Sequence, residues 1–334
     1  MTVDTEIDFI APPGASVGGA VARMVLRRVL GTMVMLVVIS VLVFLLTYLS
    51  PGNIITNITG IHPASPAVAA QLRHQYGLDQ PLVVQYGRWL ANFVQGHWGE
   101  SIRDQTPVSQ LFSERAGMTL LLCGLAFALA VVVSVPLGVI AAVRVGGLVD
   151  RAIAVTSVVG LSAPAFATGL LMIYFFAYLL PLFPPAGSGS GVGGQLYHLT
   201  LPAVTLAVGV GAYIVRLTRT AMVRELASDY VVFARARGVP EKRVVRAALR
   251  NASFPVVTTS GLVLSYMVGA TILVESTFSL PGLGSLLQGS VEFKDFAVVQ
   301  FLTLFIATII ALVMLGVDLL YLVLSPDWRR SSLQ

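Results

Sequence analysis

Residues 220–252 read TAMVRELASDYVVFARARGVPEKRVVRAALRNA, a basic and soluble-looking segment between two long apolar runs. From Arg216 to Arg250 the chain carries nine of its 21 Lys and Arg residues. Membrane proteins retain such residues in their cytoplasmic loops. The segment therefore predicts a cytoplasmic loop at 218–250, with a membrane span before it and another after it in the sequence.

The composition of the whole chain agrees with a membrane protein, because 56% of its 334 residues are hydrophobic and only 11% are charged. Soluble domains usually contain about 25% charged residues, and the mean hydropathy of +0.85 excludes a single water-soluble core. The net charge of +5 then reports topology rather than nucleic-acid binding. The single cysteine, Cys123, excludes an intrachain disulfide.

Six apolar stretches are long enough, at about 20 residues each, to cross the hydrocarbon core of a bilayer. They lie at about 29–49, 116–143, 152–180, 199–217, 253–275 and 297–325. Sixteen basic residues flank these stretches on one side and five on the other, which predicts that both termini are cytoplasmic. The sequence therefore predicts an all-α, polytopic membrane protein, with a mobile cytoplasmic tail at 1–22 and a six-span domain at 23–330.

The loop at 51–115, on the extracytoplasmic side, is too long to be a passive connector, so we expect structure within it. Between Pro81 and Val94, apolar side chains recur at helical spacing and define one face of a helix. These side chains are Leu82, Tyr86, Trp89, Leu90 and Phe93. The glycines and serines of 185–194 predict a flexible link.

Motifs for bond chemistry are missing from the sequence. It has no GxxxxGK[ST] phosphate-binding loop, and its four histidines all lie outside the predicted spans. Ser162 therefore lacks a base, and we interpret it as a small residue at a helix contact. Pro164 should break or kink the third span, and we expect the segment from Ser162 to Phe166 to line or gate a path through the membrane.

Two acidic residues, Glu275 and Asp318, are placed where they could lie at membrane depth, and such side chains usually face a cavity or a partner. For Glu275 two positions stay open, one on the translocation path and one in the water at the extracytoplasmic end of the fifth span. Asp318 lies about two turns before Ser325. That position favours a structural pairing with a basic loop residue over a role in binding substrate or protons.

Four stretches together carry a resemblance to a known family. They are SPG (50–52), GLDQPLVVQYGRWL (77–90) with WG (98–99), DYVVFARARG (229–238) with LRNA (249–252) and Pro255, and FSLPGLG (278–284). In this combination the chain resembles the membrane subunit of bacterial ABC importers of the dipeptide, oligopeptide and nickel type, specifically the permease with the long first extracytoplasmic loop. The resemblance runs from Arg27 to Trp328.

The family's cytoplasmic motif, Glu-Ala-Ala-x3-Gly, is only partly present. Ala234 and Gly238 match its third and last positions, while Val232 and Phe233 occupy the first two. Any contact that the family makes through the glutamate of the motif therefore has no residue in this chain.

The resemblance implies a type I ABC importer permease with six transmembrane helices in the bacterial inner membrane, without a catalytic site, cofactor or metal of its own. The implied partners are a second homologous permease subunit, one or two ABC ATPase subunits that carry ATP and Mg, and an extracytoplasmic substrate-binding protein, with no nucleic acid. Peptide is the expected cargo, and nickel, haem or another small solute remains open. A secondary transporter and an intramembrane enzyme are the competing classes.

The spacing of apolar residues in 218–250 predicts two short helices, with Gly238 at the left-handed end of the first and Pro240 at the start of the second. On the residues alone, such a hairpin fits either a protein-docking element or a basic element resting on anionic lipid. The resemblance favours docking to the ATPase. The residues expected to make that contact are Leu226, Tyr230, Ala234, Gly238, Val245 and Leu249.

Overall fold

The computed structural model describes residues 17–49, 67 and 79–324, and the regular structure of these ranges is helical apart from one isolated bridge between Glu100 and Pro107. The helices are α1 Val17–Leu49, α2 Leu82–Val94, α3 Val108–Val143, α4 Leu148–Ser162, α5 Ala165–Met172, α6 Gly191–Leu226, α7 Asp229–Ala236, α8 Glu241–Thr277, α9 Leu283–Glu292 and α10 Phe296–Leu324. A π-helical turn, Ile173–Leu179, continues α5. The predicted all-α fold is confirmed.

Four of the described helices are long and apolar enough to cross a membrane, and they lie within α1, α3, α6 and α10. Together, α4, α5 and the π-helical turn meet the same test, with a bend of 108° between the two parts. The span predicted at 253–275 falls in α8, where several side chains before Val263 lie outside the described ones, and the apolar stretch found among the described residues is Val263–Thr277. The span at α8, and with it the total of six spans, therefore stays a prediction.

Helix α1 begins within the N-terminal tail that the sequence predicts. Because α1 begins at Val17, residues 17–22 belong to a helix rather than to the tail predicted at 1–22. The rest of that tail, the SPG motif at 50–52 and most of 51–78 lie outside the described residues.

Helix α6 occupies the centre of the helix bundle and packs along both α3 and α8. Small residues permit the close approach to α3: a methyl group on Gly138 would meet Thr218, and one on Gly211 would meet the Ser134 hydroxyl. Consequently, a displacement of either end of α6 would be transmitted to both neighbours.

The break predicted at Pro164 is confirmed. Helix α4 ends at Ser162 and α5 begins at Ala165, with Ala163 in an extended conformation at ψ 122°. The steric demand of a proline ring pushes the preceding residue out of the helical region, and this accounts for the sharp change of direction.

Helix α2 begins directly after Pro81, as predicted, but its aromatic face is covered by the chain itself. The ring of Tyr86 lies 5.5 Å from that of Phe44 on α1, and the two hydroxyls of Tyr86 and Ser40 are 2.7 Å apart. The aromatic contacts continue through Trp89 to Phe93, whose ring centroid lies 6.1 Å from that of Phe301 on α10. These aromatic contacts therefore hold α2 against α1 and α10.

The predicted flexible link at 185–194 is instead held in place. The Nδ1 atom of His198 lies 3.1 Å and 3.0 Å from the carbonyl oxygens of Ala186 and Gly187. The Gly187 N–H donates to the carbonyl of Phe278 at the end of α8, over 3.0 Å. From Gly191 onward the segment already forms the first turns of α6. Gly187 and Gly189 thus belong to a turn that hydrogen bonds hold in place, and the later glycines belong to α6.

Candidate functional site

The hairpin formed by α7 and the start of α8 has the turn that the sequence predicts. Gly238 is left-handed, with φ +72°, directly after α7. Its N–H donates to the carbonyl of Arg235, and the N–H of Val239 donates to that of Ala234, each over 3.0 Å. These two bonds form a Schellman end, and Pro240 directly precedes α8. The turn is therefore set by local chemistry.

Polar contacts brace the hairpin on both sides of α7. The guanidinium of Arg235 donates to both carboxylate oxygens of Glu241, at 2.7 Å and 3.2 Å, and this bonding lowers the pKa of Glu241. On the other side, the Tyr230 hydroxyl donates to Glu225 over 2.9 Å. Both pairs are exposed, so solvent screens them, and they orient α7 rather than hold it in place.

Three of the residues predicted to contact a partner turn towards the chain's own core. Leu226, Val245 and Leu249 are partly buried against a cluster of Ala142, Met222, Ala248 and Ala252. This cluster continues the packing of α3, α6 and α8 beyond the membrane-facing part of the bundle. Of the other predicted contacts, Tyr230 is 39% exposed, Ala234 is half-buried and Gly238 is exposed.

The outward apolar surface of α7 consists instead of Val232 and Phe233, which are 58% and 68% exposed. Sequence reasoning treated these two only as departures from the family motif. The predicted contacts Leu226, Tyr230 and Ala234 follow one helical period, but the helix is broken at residues 227–228, and the phase of that period changes there. The sequence did contain a signal for this surface, the apolar run at 230–234. In so short a helix, some of these side chains must point away from the core.

An ion pair that the sequence did not reveal ties this region to α4. The guanidinium of Arg219 on α6 donates two hydrogen bonds to the carboxylate of Asp150. The Nε–Oδ1 distance is 2.5 Å and the Nη2–Oδ2 distance is 2.8 Å. The Gly146 N–H donates to Asp150 Oδ2 over 2.8 Å. Asp150 is only 4% exposed, and bidentate pairs are strong and directional. The loop before α4 is thus fixed to α6, close to the hairpin.

The four residues predicted for a translocation path differ in their exposure. Ser162, Pro164 and Phe166 are exposed at the break between α4 and α5. Glu275 is fully buried near the end of α8, so its alternative position in water is wrong. Within residues 17–49, 67 and 79–324, no group of three or more His, Cys, Asp or Glu residues is arranged to hold a metal ion.

Hydrogen bonds to the Glu275 carboxylate, which lies on α8, connect α9 and α3 to that helix. Its Oε2 accepts hydrogen bonds from the N–H groups of Gly284 and Ser285, at 2.8 Å and 3.0 Å, in the first turn of α9. Its Oε1 accepts a hydrogen bond of 2.6 Å from the hydroxyl of Thr119 on α3, and that hydroxyl in turn accepts from the Leu283 N–H over 2.8 Å. A carboxylate at a helix N-terminus also satisfies the helix dipole.

Asp318 is paired with a basic residue, as predicted, since its carboxylate lies 2.8 Å from the guanidinium of Arg28. The partner lies on α1 rather than in a loop. The pair therefore joins the first and last helices of the described bundle.

Two family models match the chain over most of its length. The one described as binding-protein-dependent transport system inner membrane component matches residues 134–330. The one describing the N-terminal part of such membrane components matches residues 21–123. The two matches cover the helices of the bundle, the hairpin and the loop that contains α2.

Several curated proteins are similar to the chain along nearly their whole length. It is 38% identical over 288 residues to the probable peptide ABC transporter permease protein y4tP of Sinorhizobium fredii, which covers 85% of this chain and 92% of that protein. It is 38% identical over 269 residues to the oligopeptide transport system permease protein AppB of Bacillus subtilis, covering 78% and 85%. For the glutathione transport system permease protein GsiC of Salmonella paratyphi A, identity is 39% over 283 residues, covering 84% and 90%.

Among solved structures, the fold is similar to an inward-facing MetNI methionine ABC transporter, with a TM-score of 0.52. The sequences are 18% identical, and the match covers 65% of this chain and 97% of that one. This similarity concerns the fold alone, and it confirms the predicted type I ABC importer permease architecture.

Proposed function

The chain belongs to the family of binding-protein-dependent transport system inner membrane components, and from that premise we propose that it is the permease subunit of an ATP-driven peptide importer. It forms half of the translocation path, together with a second homologous permease subunit. Separate ATPase subunits bind ATP and Mg, and an extracytoplasmic binding protein delivers the cargo. The observation that carries the coupling part of this proposal is the outward pair Val232 and Phe233 on α7.

In this mechanism the ATPase binds α7. The helices on either side of α7 in the chain, α6 and α8, transmit the movement of the ATPase to the bundle. Helix α6 runs from the hairpin through the centre of the bundle, and its contacts with α3 and α8 make these helices move together. The pair of Arg219 and Asp150 carries the displacement to α4, and the break at Pro164 lets α5 turn independently of α4. Domain-closure transitions of this kind rely on such rigid elements and short hinges.

The cargo proposal rests on the relatives, whose names describe permeases for peptides, oligopeptides and glutathione. We expect proteoliposomes that contain the complete complex and its binding protein to accumulate a labelled oligopeptide when ATP is supplied. A complex whose ATPase lacks the lysine of its phosphate-binding loop is the matched control, and it should accumulate none. Accumulation of nickel or haem without any uptake of peptides would replace the cargo while leaving the permease assignment intact.

The proposed topology places α2 on the extracytoplasmic side of the membrane and α7 in the cytoplasm. Val83 on α2 is 81% exposed, and Ala236 on α7 is exposed. In a Cys123→Ala background, we expect Val83→Cys to react with an impermeant thiol reagent on intact cells. Ala236→Cys should react only after the membrane has been opened. The reverse pattern would overturn the assignment of both termini to the cytoplasm.

A further inference from the structure

A groove of about 680 Å³ lies between α1 and α10. Each helix contributes the same set of positions, i, i+1, i+4, i+5 and i+8, beginning at Arg27 on α1 and at Ile310 on α10. Residues at this spacing share one helix face. The groove is therefore a continuous furrow between two helix faces, and at 1.5 Å per residue it runs for about 12 Å along them.

The furrow changes from charged to apolar along its length. Arg27, Arg28 and Asp318 line one end, and Met35 and Ile310 line the other. The two helices pair the N-terminal part of α1 with the C-terminal part of α10, so both charged segments meet at the same end. The topology proposed above places that end at the cytoplasmic surface and the apolar end inside the bilayer.

The charged end carries a surplus of positive charge. Arg28 is engaged by Asp318 over 2.8 Å, whereas within the described part of the chain no carboxylate forms an ion pair with Arg27. The hydroxyl-bearing Thr32 lies one turn further in, and a methyl group on Gly31 would meet nothing within 4 Å, so the furrow is open there. An anion at this position would find a guanidinium, a second arginine and a hydroxyl.

We propose that this furrow binds an anionic phospholipid of the cytoplasmic leaflet. Arg27 holds the headgroup phosphate, because a guanidinium presents paired donors that match phosphate oxygens. The first methylenes of an acyl chain lie along Met35 and Ile310. Basic pockets between transmembrane helices on the cytoplasmic side are known to bind such headgroups. The graded polarity matches a lipid, whose anionic headgroup and apolar chains follow one another in the same order as the charged and apolar ends of the furrow.

The test uses the complete transporter complex, purified in detergent and examined by native mass spectrometry with added phosphatidylglycerol. We expect one retained phosphatidylglycerol per copy of this chain, and about fivefold weaker binding in Arg27→Gln, the contribution of one basic residue at an anionic lipid surface. Gly31→Leu should also weaken binding, because it fills the open part of the furrow without changing the charge. Arg144→Gln, at an exposed arginine outside the furrow, is the control and should bind like the wild type.

Three further comparisons decide the identity of the occupant. Phosphatidylcholine at the same concentration should be retained more weakly than phosphatidylglycerol, and inorganic phosphate should not compete, because it lacks the acyl chain. Equal retention of both lipids, or wild-type binding by both Arg27→Gln and Gly31→Leu, would overturn the proposal. If the wild-type complex retains no lipid and Arg27→Gln loses the homologous permease subunit, the furrow is a subunit contact instead.

Discussion

Replacing Phe233 with Asp is expected to detach the ATPase from this permease and to abolish transport. Phe233 is 68% exposed on the outer face of α7, so the substitution costs the isolated chain little. In the proposed complex the same side chain is buried in a cleft of the ATPase, where an unpaired carboxylate costs several kcal/mol. We expect uptake to fall more than tenfold, which corresponds to about 1.4 kcal/mol or more, and ATPase recovery to fall with it.

The measurement is peptide uptake, combined with recovery of the ATPase by pull-down from the same membranes. Val94→Asp is the matched control, because Val94 is 79% exposed at the end of α2 and receives the same charge outside the docking surface. Membrane levels of both variants should equal those of the wild type. If Phe233→Asp keeps full uptake and full ATPase recovery, α7 does not dock, and the hairpin rests on lipid instead.

Gly238→Val should give a smaller effect of the same kind. No atom lies within 4 Å of a methyl group built on Gly238, so its cost comes only from the left-handed backbone at φ +72°, about 1–2 kcal/mol for a residue with a Cβ. The turn can absorb part of this cost by shifting α7. We therefore expect partial rather than complete loss of uptake, and no loss of the protein from the membrane.

The turn of the hairpin could be predicted because its determinants are local. A glycine at a helix end and a proline two residues later restrict the backbone whatever surrounds them. The same holds for the break at Pro164. The outward face of α7 could not be predicted in this way, because it depends on how α6, α7 and α8 are rotated against one another. Leu226 and Leu249 have the right spacing for a docking face, yet they pack against the core.

The burial of the Glu275 side chain depends on contacts with distant residues, which a local sequence pattern does not reveal. Its carboxylate meets Thr119, which is 156 positions earlier in the chain, and α9, which returns over the end of α8. A sequence pattern places Glu275 near the end of a span and leaves both water and a cavity open. The structure adds the reason for the glycines in FSLPGLG (278–284): at Gly282 the space of a side chain is already occupied by the Glu275 carboxylate.

Glu275→Ala is therefore expected to be strongly destabilising. It leaves the N–H group of Gly284, which is buried, and the partly buried hydroxyl of Thr119 and N–H group of Ser285 without their acceptor. An unsatisfied group costs about 1–3 kcal/mol when it is fully buried, so we expect the three together to cost several kcal/mol. The apparent Tm of the purified complex should fall by several degrees, with a matching loss of protein from the membrane. Glu292→Ala, at the exposed end of α9, is the control and should change neither quantity.

A double-mutant cycle with Gly282→Ala separates loss of the hydrogen bonds from a general effect of disturbing this region. In the wild type, the methyl group of Gly282→Ala overlaps the Glu275 carboxylate, so this variant should also lower the Tm. Once Glu275→Ala has removed the carboxylate, the same methyl group has room. The two changes should then cost less together than the sum of their separate costs, since residues in direct contact are coupled. Additive effects, or a Tm for Glu275→Ala equal to that of Glu292→Ala, would show that the carboxylate does not hold α9 in place.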